Sequence, residues 1–585
     1  MIKSVFIIAF SCTVLILFTY PVSANSRAVI ISPRLGCALQ GPRTAGRGLN
    51  KTEFLNDTLS VYIAPDPPES PIPAEWRQES FWSVALVPSV LEGIDCIVLQ
   101  VETIRTRVNS FSAFGGGLGQ NPLYPSAVEL VCKIPANIEP VVYDLAVSFK
   151  QAISPALQRD GSIDLVPAPG SWQGFKGSAY QGPFSLAPPF LLTEPSCVSI
   201  PWIYDAYSSD KVGQSTGEGN AVKPFSFIHI TDSHYKNDRP DWLSNNELWE
   251  NDSQVLAPDF IALSGDLVEG PHEDPTEMLL AYGKLRSLGI PLAVTLGNHD
   301  HKLSGLWRHY IGPMYSAFQF DDVSVISFDT GLPFGTGVLN WLDNEAAKAV
   351  KEGPTFFMCH YPVSHDYFSG GWQGTADIMV ERNVTGLLTG HTHGDFLSEV
   401  EPLRDRKLEA GDYATFEDIN DDYNDLNKHL KPIKKPLQII TRTAAKDGYV
   451  RYDLSLPRFS GYRELTVAEN KVYNYTYDYD GNGVRDAQIS IPGGRFATEV
   501  VESAGNYQWK LTNDYNHRLS AARAIFRVPN PATGMMWELI GLNKTNGAYI
   551  RSMVNNGTMT FIDARVPVAK NQDIILEIEQ VPEAL

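Results

Sequence analysis

Positive charge is in short supply in this chain. Lys and Arg number 47 against 67 Asp and Glu among 585 residues, a formal net charge of -20. Such a surplus repels phosphate backbones over long range, so neither nucleic acid nor an anionic membrane surface is expected as the main partner. A small phosphorylated molecule stays compatible, because a metal site can reverse the field locally. Long apolar runs are also missing. Beyond the stretch ending at Phe18 no segment is apolar enough to span a bilayer, so no transmembrane segment is expected in the mature chain. Cysteine is sparse. Cys12 lies in the apolar leader, and Cys359 sits in PTFFMCHYP, where a buried free thiol is expected. Only Cys37, Cys96, Cys132 and Cys197 remain for disulfides, in three pairings that their spacing does not rank.

What is present points to ordinary packed cores: 43% of the residues are hydrophobic, and the length suits about three domains. Lys3, an apolar stretch and Val22-Ser23-Ala24 suit a signal peptide over 1–24, with an uncleaved anchor as the alternative. A secreted or extracytoplasmic location, in a periplasm or at a cell surface, follows from that expectation. From 25 to 160, short runs such as RAVIIS, LSVYIA, FWSVALVP and AVELVCKI alternate with turn residues, and no amphipathic helix is evident, which predicts a β-sandwich-like domain. Residues 161–222 are dense in Pro, Gly and Ser and predict a surface linker.

The texture changes at 223. FSFIHI, DFIALSG, PLAVTLG, VSVISFD, TFFMCH and VTGLLTG are strand candidates with helical stretches at roughly 242–256, 275–288, 340–352 and 375–382 between them, so 223–480 predicts an α/β domain. A second β-sandwich-like domain is expected over 488–585. Between the two, DYDGNGVRD offers Asp478, Asp480, Asn482 and Asp486 at the spacing of the first part of a calcium loop. The final position, Ile489, does not suit one, and an Asx-rich hairpin turn is the alternative reading.

The strand candidates of the α/β domain end in polar residues of one kind: Asp232 and His234 after the first, Asp266 and Glu269 after the second, Asn298-His299-Asp300-His301 after the third, His360 after TFFMCH, and His391 and His393 in LLTGHTHGD. A lone histidine at a strand end is usually structural. Asp, Asn and His at five strand ends are hard to explain by packing, because clustering them without a cation would cost several kcal/mol. A polynuclear metal site resolves the conflict.

The ordered set Asp232-x-His234, Gly265-Asp266, Gly297-Asn298-His299-Asp300, His360 and Gly390-His391-x-His393 resembles the calcineurin-like metallophosphoesterase superfamily over about 225–475. The resemblance implies an αββα sandwich core holding two metal ions, Fe, Mn or Zn, with the β-sandwich-like domains flanking it. It also implies that Asp232, His234 and His393 bind the first ion, that Asn298, His360 and His391 bind the second, and that Asp266 bridges them. Phosphate monoesters or diesters would be cleaved by attack of a metal-bridging hydroxide, with His299 as the catalytic histidine. Glu269 stands where many members carry an Asp that orients this histidine, and is expected to do the same. Protein Ser/Thr phosphatases continue the second motif with Arg-Gly, where this chain has Gly270-Pro271, and purple acid phosphatases carry Tyr and Gly at the positions of Glu269 and His234. Both branches are disfavoured. The alternatives are a 5′-nucleotidase-like enzyme and a non-catalytic surface protein using the same fold. The flanking β-domains are candidates for binding a cell surface, a glycan or a protein.

Overall fold

The computed structural model describes strand and turn segments between 27 and 199, and from 225 onward residues 225–270, 275–303, 307, 311, 314–320, 323–330, 336–351, 353–362, 372–401, 404–407, 436–446, 448–450, 458–468, 471–474, 490–503, 505–515, 519–540, 547–555 and 558–583. The expected leader, 1–24, and the expected calcium loop, 478–486, lie outside the described residues.

The middle of the chain is a mixed α/β unit. In chain order its main strands are β1 (Phe225–Ile230), β2 (Phe260–Ser264), β3 (Leu292–Thr295), β4 (Ser316–Phe320), β5 (Val323–Ser327), β6 (Thr355–Met358), β7 (Gly386–Thr389), β8 (Gly394–Glu401), β9 (Arg404–Lys407), β10 (Leu437–Ile440), β11 (Gly461–Ala468) and β12 (Lys471–Asn474). The helices are α1 (Pro240–Leu256), α2 (Pro275–Ser287), α3 (Thr336–Ala349) and α4 (Trp372–Arg382), close to the predicted spans. One sheet has the order β3-β2-β1-β11-β12 and the other β4-β5-β6-β7-β10-β8-β9. The first sheet is parallel through β1, β2 and β3. In the second, β5, β6, β7 and β10 are parallel.

Alternation along each strand assigns its two faces. On β1 and β2, Phe227, Phe260 and Ala262 cluster with Val325, Phe356, Met358, Leu388 and Ile439 from the second sheet. Ile228, Ile230, Ile261 and Leu263 point the other way and cluster with Trp249, Val255, Leu256, Met278 and Ala281 of α1 and α2. Burial on both faces explains why these strands are near-continuous apolar runs. Helix α1 starts with Pro240 at its first turn and stops at Ala257, whose φ of 44° ends the helix in the left-handed region.

In the N-terminal region the predicted strands form, with two shorter ones, Cys37–Ala38 and Ser196–Ser199, one hydrogen-bonded path of eight. The long strand Ile97–Phe111 makes the path continuous. Its first residues pair with Val84–Leu86, and beyond Gln100 it pairs with Tyr124–Lys133, with a register shift between Val101 and Thr103. A strand that changes partners at such an irregularity turns the corner of a curved sheet. The stretch expected to be a linker adds Ser196–Ser199 to this sheet, antiparallel to Val142–Phe149. Its Pro and Gly density therefore conceals a strand. Cys132 is a free, buried thiol, so no disulfide forms through it, and Cys359 is free and buried as expected.

The C-terminal region forms a four-stranded and a three-stranded antiparallel sheet. Trp509, Leu511, Leu576 and Ile578 of one share a buried cluster with Phe526, Val528 and Ile562 of the other. The carboxylate of Asp252, near the end of α1, ties this region to the α/β unit. It is fully buried and accepts from the Tyr462 hydroxyl at 3.1 Å and from the amides of Gly494, Arg495 and Phe496 at 2.8, 3.0 and 3.1 Å. Asp252→Ala leaves these donors without their acceptor, so it should lower stability by about 3 kcal/mol in chemical denaturation. A variant as stable as the parent would show that the junction does not depend on this carboxylate.

Candidate metal centre

The polar residues predicted from the strand ends come together where the carboxyl ends of β1, β2 and β3 meet those of β6 and β7, the place where open α/β sheets hold ligands. Main-chain hydrogen bonds splice the loops side by side: Asp232 N donates to Gly265 O at 3.1 Å, His234 N to Asp266 O at 2.9 Å, and Gly390 N to His360 O at 3.0 Å. Asp232, His234, Asp266, His391 and His393 all have positive φ, between 40° and 65°. Non-glycine residues rarely adopt that conformation, and their concentration here marks backbone strain held by the surrounding fold. Gly265, at φ +90°, has no alternative, since a Cβ there would stand 2.7 Å from His360 Nδ1.

The two buried carboxylates are arranged alike, each with one oxygen held and one facing the histidines. Asp232 Oδ2 accepts from Thr231 Oγ1 at 2.8 Å and from the His391 amide at 3.0 Å. Its other oxygen, Oδ1, lies 3.3 Å from His393 Nε2, 3.7 Å from His234 Nε2 and 4.0 Å from His360 Nε2. Asp266 Oδ1 accepts from the His299 amide at 2.9 Å, while Oδ2 lies 3.1 Å from His360 Nε2, 3.8 Å from His234 Nε2 and 3.9 Å from His299 Nε2. Asn298 joins through its Oδ1, 3.0 Å from His391 Nδ1.

This donor set fits metal ions. Asp232 Oδ1 is buried and has no hydrogen-bond partner although three ring nitrogens surround it. Groups able to hold a cation are Asp232 with His234 and His393, His234 with Asp266 and His299, and Asp266 with His360 and His391, the ligand atoms of each within 4.8 Å of one another. Ring orientation agrees. His360 Nδ1 faces the Ser264 carbonyl at 2.9 Å and must carry its hydrogen there, which leaves Nε2 as a lone-pair donor. Burial alone would lower the His234 and His360 pKa values. For His234, Asp232, Glu269 and Asp266 push it up to about 9, and for His360, Asp266 and Asp232 do the same. The field of the cluster thus favours positive charge.

Glu269 is placed differently from expectation. His299 Nδ1 contacts the main-chain carbonyl of Glu269 at 2.6 Å, whereas the nearest carboxylate oxygen is 3.8 Å away. That oxygen, Oε2, lies 2.7 Å from His234 Nδ1 and accepts from Lys446 Nζ at 3.2 Å. Burial would raise the Glu269 carboxyl, but His234, Lys446 and His299 bring it down to about 2.

Other contributors were given no role from the sequence. Asp300, buried in the third motif, accepts from the amides of Leu267, Val268 and Gly297 at 3.1, 3.0 and 2.8 Å, clamping the loop that carries Asp266 to the loop that carries Asn298. Burial and the charge of Asp266 push its carboxyl up to about 6 against these amides. Thr443 Oγ1 donates to the Asp232 carbonyl at 2.9 Å, and the Ala444 amide to Thr231 O at 2.9 Å. Their only sequence signal is the polar run after β10. Near the site, Trp307 is buried in the core cluster, and Tyr361 stands edge-on to His391 at 4.3 Å between centroids.

Residues 225–395 match the family model of the calcineurin-like phosphoesterases. Over these residues the chain matches a metallophosphoesterase domain. Among solved structures, a purple acid phosphatase from seeds of yellow lupin (Lupinus luteus) is similar at 10% identity over 84% of this chain and 72% of that one, with a TM-score of 0.37. A dimetal phosphatase from Danio rerio is similar at 11% identity over 46% and 98%, TM-score 0.29. GAP50, the anchor in the inner membrane complex of Plasmodium, is similar at 11% identity over 46% and 90%, TM-score 0.31. No curated protein sequence matches the chain.

Asp300→Ala removes the acceptor of three buried amides and should lower stability by about 3 kcal/mol. It should also reduce metal uptake, measured by elemental analysis of the folded variant, because Asp266 and Asn298 lose their common support. Unchanged uptake would mean that the clamp does not position the ligands.

Proposed function

We propose that the chain is an exported, dinuclear metal-dependent phosphohydrolase that cleaves small phosphate monoesters or diesters. The observation that carries this reading is Asp232 Oδ1, a buried carboxylate oxygen ringed by three imidazole nitrogens and lacking a hydrogen-bond partner. Asp232, His234 and His393 would hold one ion, Asn298, His360 and His391 the other, and Asp266 both. Mixed carboxylate, amide and imidazole ligands suit Fe, Mn or Zn. Such ions supply Lewis acidity at phosphoryl oxygens and a water acidic enough to be a nucleophile near neutral pH. The two sheets with helices on their outer faces fit the αββα sandwich that carries such centres, supported by the shared apolar cluster between the sheets.

The residues of the chain set the rest. The Glu269 carbonyl keeps a hydrogen on His299 Nδ1 and fixes the ring, so Nε2 points toward Asp266. The His299 side chain is 31% exposed, whereas Asp232, His234, Asp266 and His360 are buried, so substrate can reach it. A proton carried at Nε2 would pass to the departing oxygen as the ester bond breaks. Asp266 and Asp232 each use one oxygen to fix the loops and keep the other for the ions.

Hydrolysis of para-nitrophenyl phosphate and bis-para-nitrophenyl phosphate by metal-stripped protein, with Mn, Fe or Zn restored singly, tests the reading. Restored turnover that Asp266→Asn abolishes is the expected result, and the preferred compound separates monoesterase from diesterase. Two bound ions without turnover of either compound would count against it. His299→Ala should retain its metal and lose roughly 10²–10⁴-fold in kcat. A variant with parental kcat would remove His299 from proton transfer.

A further inference from the structure

We infer that Glu269 and Lys446 form a positioning pair that sets the tautomer and donor strength of His234, and thereby the affinity of the ion site made by Asp232, His234 and His393. The inference rests on the metallohydrolase reading and departs from the role expected for Glu269, which was to orient His299.

One atom joins the three residues. Glu269 Oε2 lies 2.7 Å from His234 Nδ1, by an approach oblique to the ring N–H, and 3.2 Å from Lys446 Nζ. A carboxylate can only accept, so its approach favours the tautomer with the hydrogen on His234 Nδ1 and the lone pair on Nε2, which is turned toward Asp232 and Asp266. A carboxylate on the far nitrogen of a metal-binding imidazole fixes the ring and makes it a stronger donor. Lys446 draws on the same oxygen, so it limits how much charge Glu269 passes to the ring.

Lys446 is itself held in place. Its amide donates to Thr443 Oγ1 at 3.3 Å, and Thr443 Oγ1 donates to the Asp232 carbonyl. Asn245 of α1 donates to Ala445 O at 2.7 Å. The ammonium stands 4.5 Å from the centroid of Trp242, another α1 residue, whose ring also carries the Arg239 guanidinium at 3.9 Å. The turn bearing Lys446 and the turn bearing Asp232 therefore move together, and the pair keeps its register with His234. The other carboxylates near His234, Asp232 and Asp266, face Nε2, which leaves Glu269 as the group at Nδ1.

Zn²⁺ binding to metal-stripped full-length protein, measured by competition with a chromophoric chelator, separates this from a plain surface ion pair. Wild type should bind two ions. Glu269→Gln should weaken one of the two by about 10–100-fold and leave the other unchanged. Lys446→Met, which keeps the apolar stem against Trp242, should tighten that affinity, because Glu269 then serves His234 alone, and an unchanged affinity would remove Lys446 from the pair. Glu269→Asp should restore part of the loss, and thermal melts of the metal-free variants establish that each is folded. Equal weakening by Glu269→Gln and Lys446→Met would reduce the pair to a structural ion pair and overturn the inference, as would two unchanged affinities in folded Glu269→Gln. If wild type binds no Zn²⁺, Mn²⁺ or Fe²⁺, the metallohydrolase reading itself falls and takes the inference with it.

Discussion

Two carboxylates, Asp232 and Asp266, are buried within reach of the same histidine nitrogens, and most of the surrounding structure exists to keep them there. His234 Nε2 and His360 Nε2 each lie within 4.0 Å of both. Left to themselves, like charges in a low-dielectric site would protonate or separate. Here neither can move, because the outer oxygen of each accepts main-chain amides from neighbouring loops. The fold thus presents converging lone pairs, an arrangement that a cation stabilises more than any rearrangement of the side chains could.

Holding that arrangement strains the backbone. Five non-glycine residues at positive φ cost on the order of 1 kcal/mol or more each, and they persist only where the surroundings fix them. The surroundings are visible: Asp300 takes three amides, Thr443 takes the carbonyl of Asp232, and the strands behind the loops are buried on both faces. Helix α1 extends the support outward. At one end Asn246 donates to Ser233 O at 2.7 Å, between Asp232 and His234. At the other, Asp252 takes three amides of the chain entering the C-terminal sheets, and Gln254 accepts from Arg523 at 3.3 Å. One rigid element therefore spans the distance from the site to the flanking region.

The residues that converge on the site were legible in the sequence because strand ends are local features. An apolar run followed by Asp-x-His or His-x-His needs no tertiary knowledge to stand out, and the parallel sheets then bring five such ends together. Residues whose meaning depends on a partner far along the chain were not legible. Thr443 reaches Asp232 across 211 positions and Lys446 reaches Glu269 across 177, with no spacing rule to announce either. Glu269 is instructive in a different way. Its place near His299 was foreseeable from the motif, but whether carbonyl or carboxylate makes the contact depends on side-chain rotation, which spacing does not encode. The strand at Ser196–Ser199 was hidden for a further reason: sheet membership there comes from an available neighbour, Val142–Phe149, rather than from local propensity.

Comparison of the two halves of the centre shows where this chain has freedom to tune it. His360 is locked by a main-chain carbonyl, Ser264 O, a neutral acceptor whose position follows from the strand and cannot change without the sheet. His234 is served by a side-chain carboxylate shared with a lysine, both partly exposed, at 18% and 22%. A neutral fixed acceptor leaves a histidine an ordinary ligand, whereas a charged acceptor strengthens it by an amount that depends on what else holds the carboxylate. The two histidines therefore differ in kind: the ring of His360 is fixed by the backbone, and that of His234 is approached by two side chains that substitution can alter without disturbing a strand.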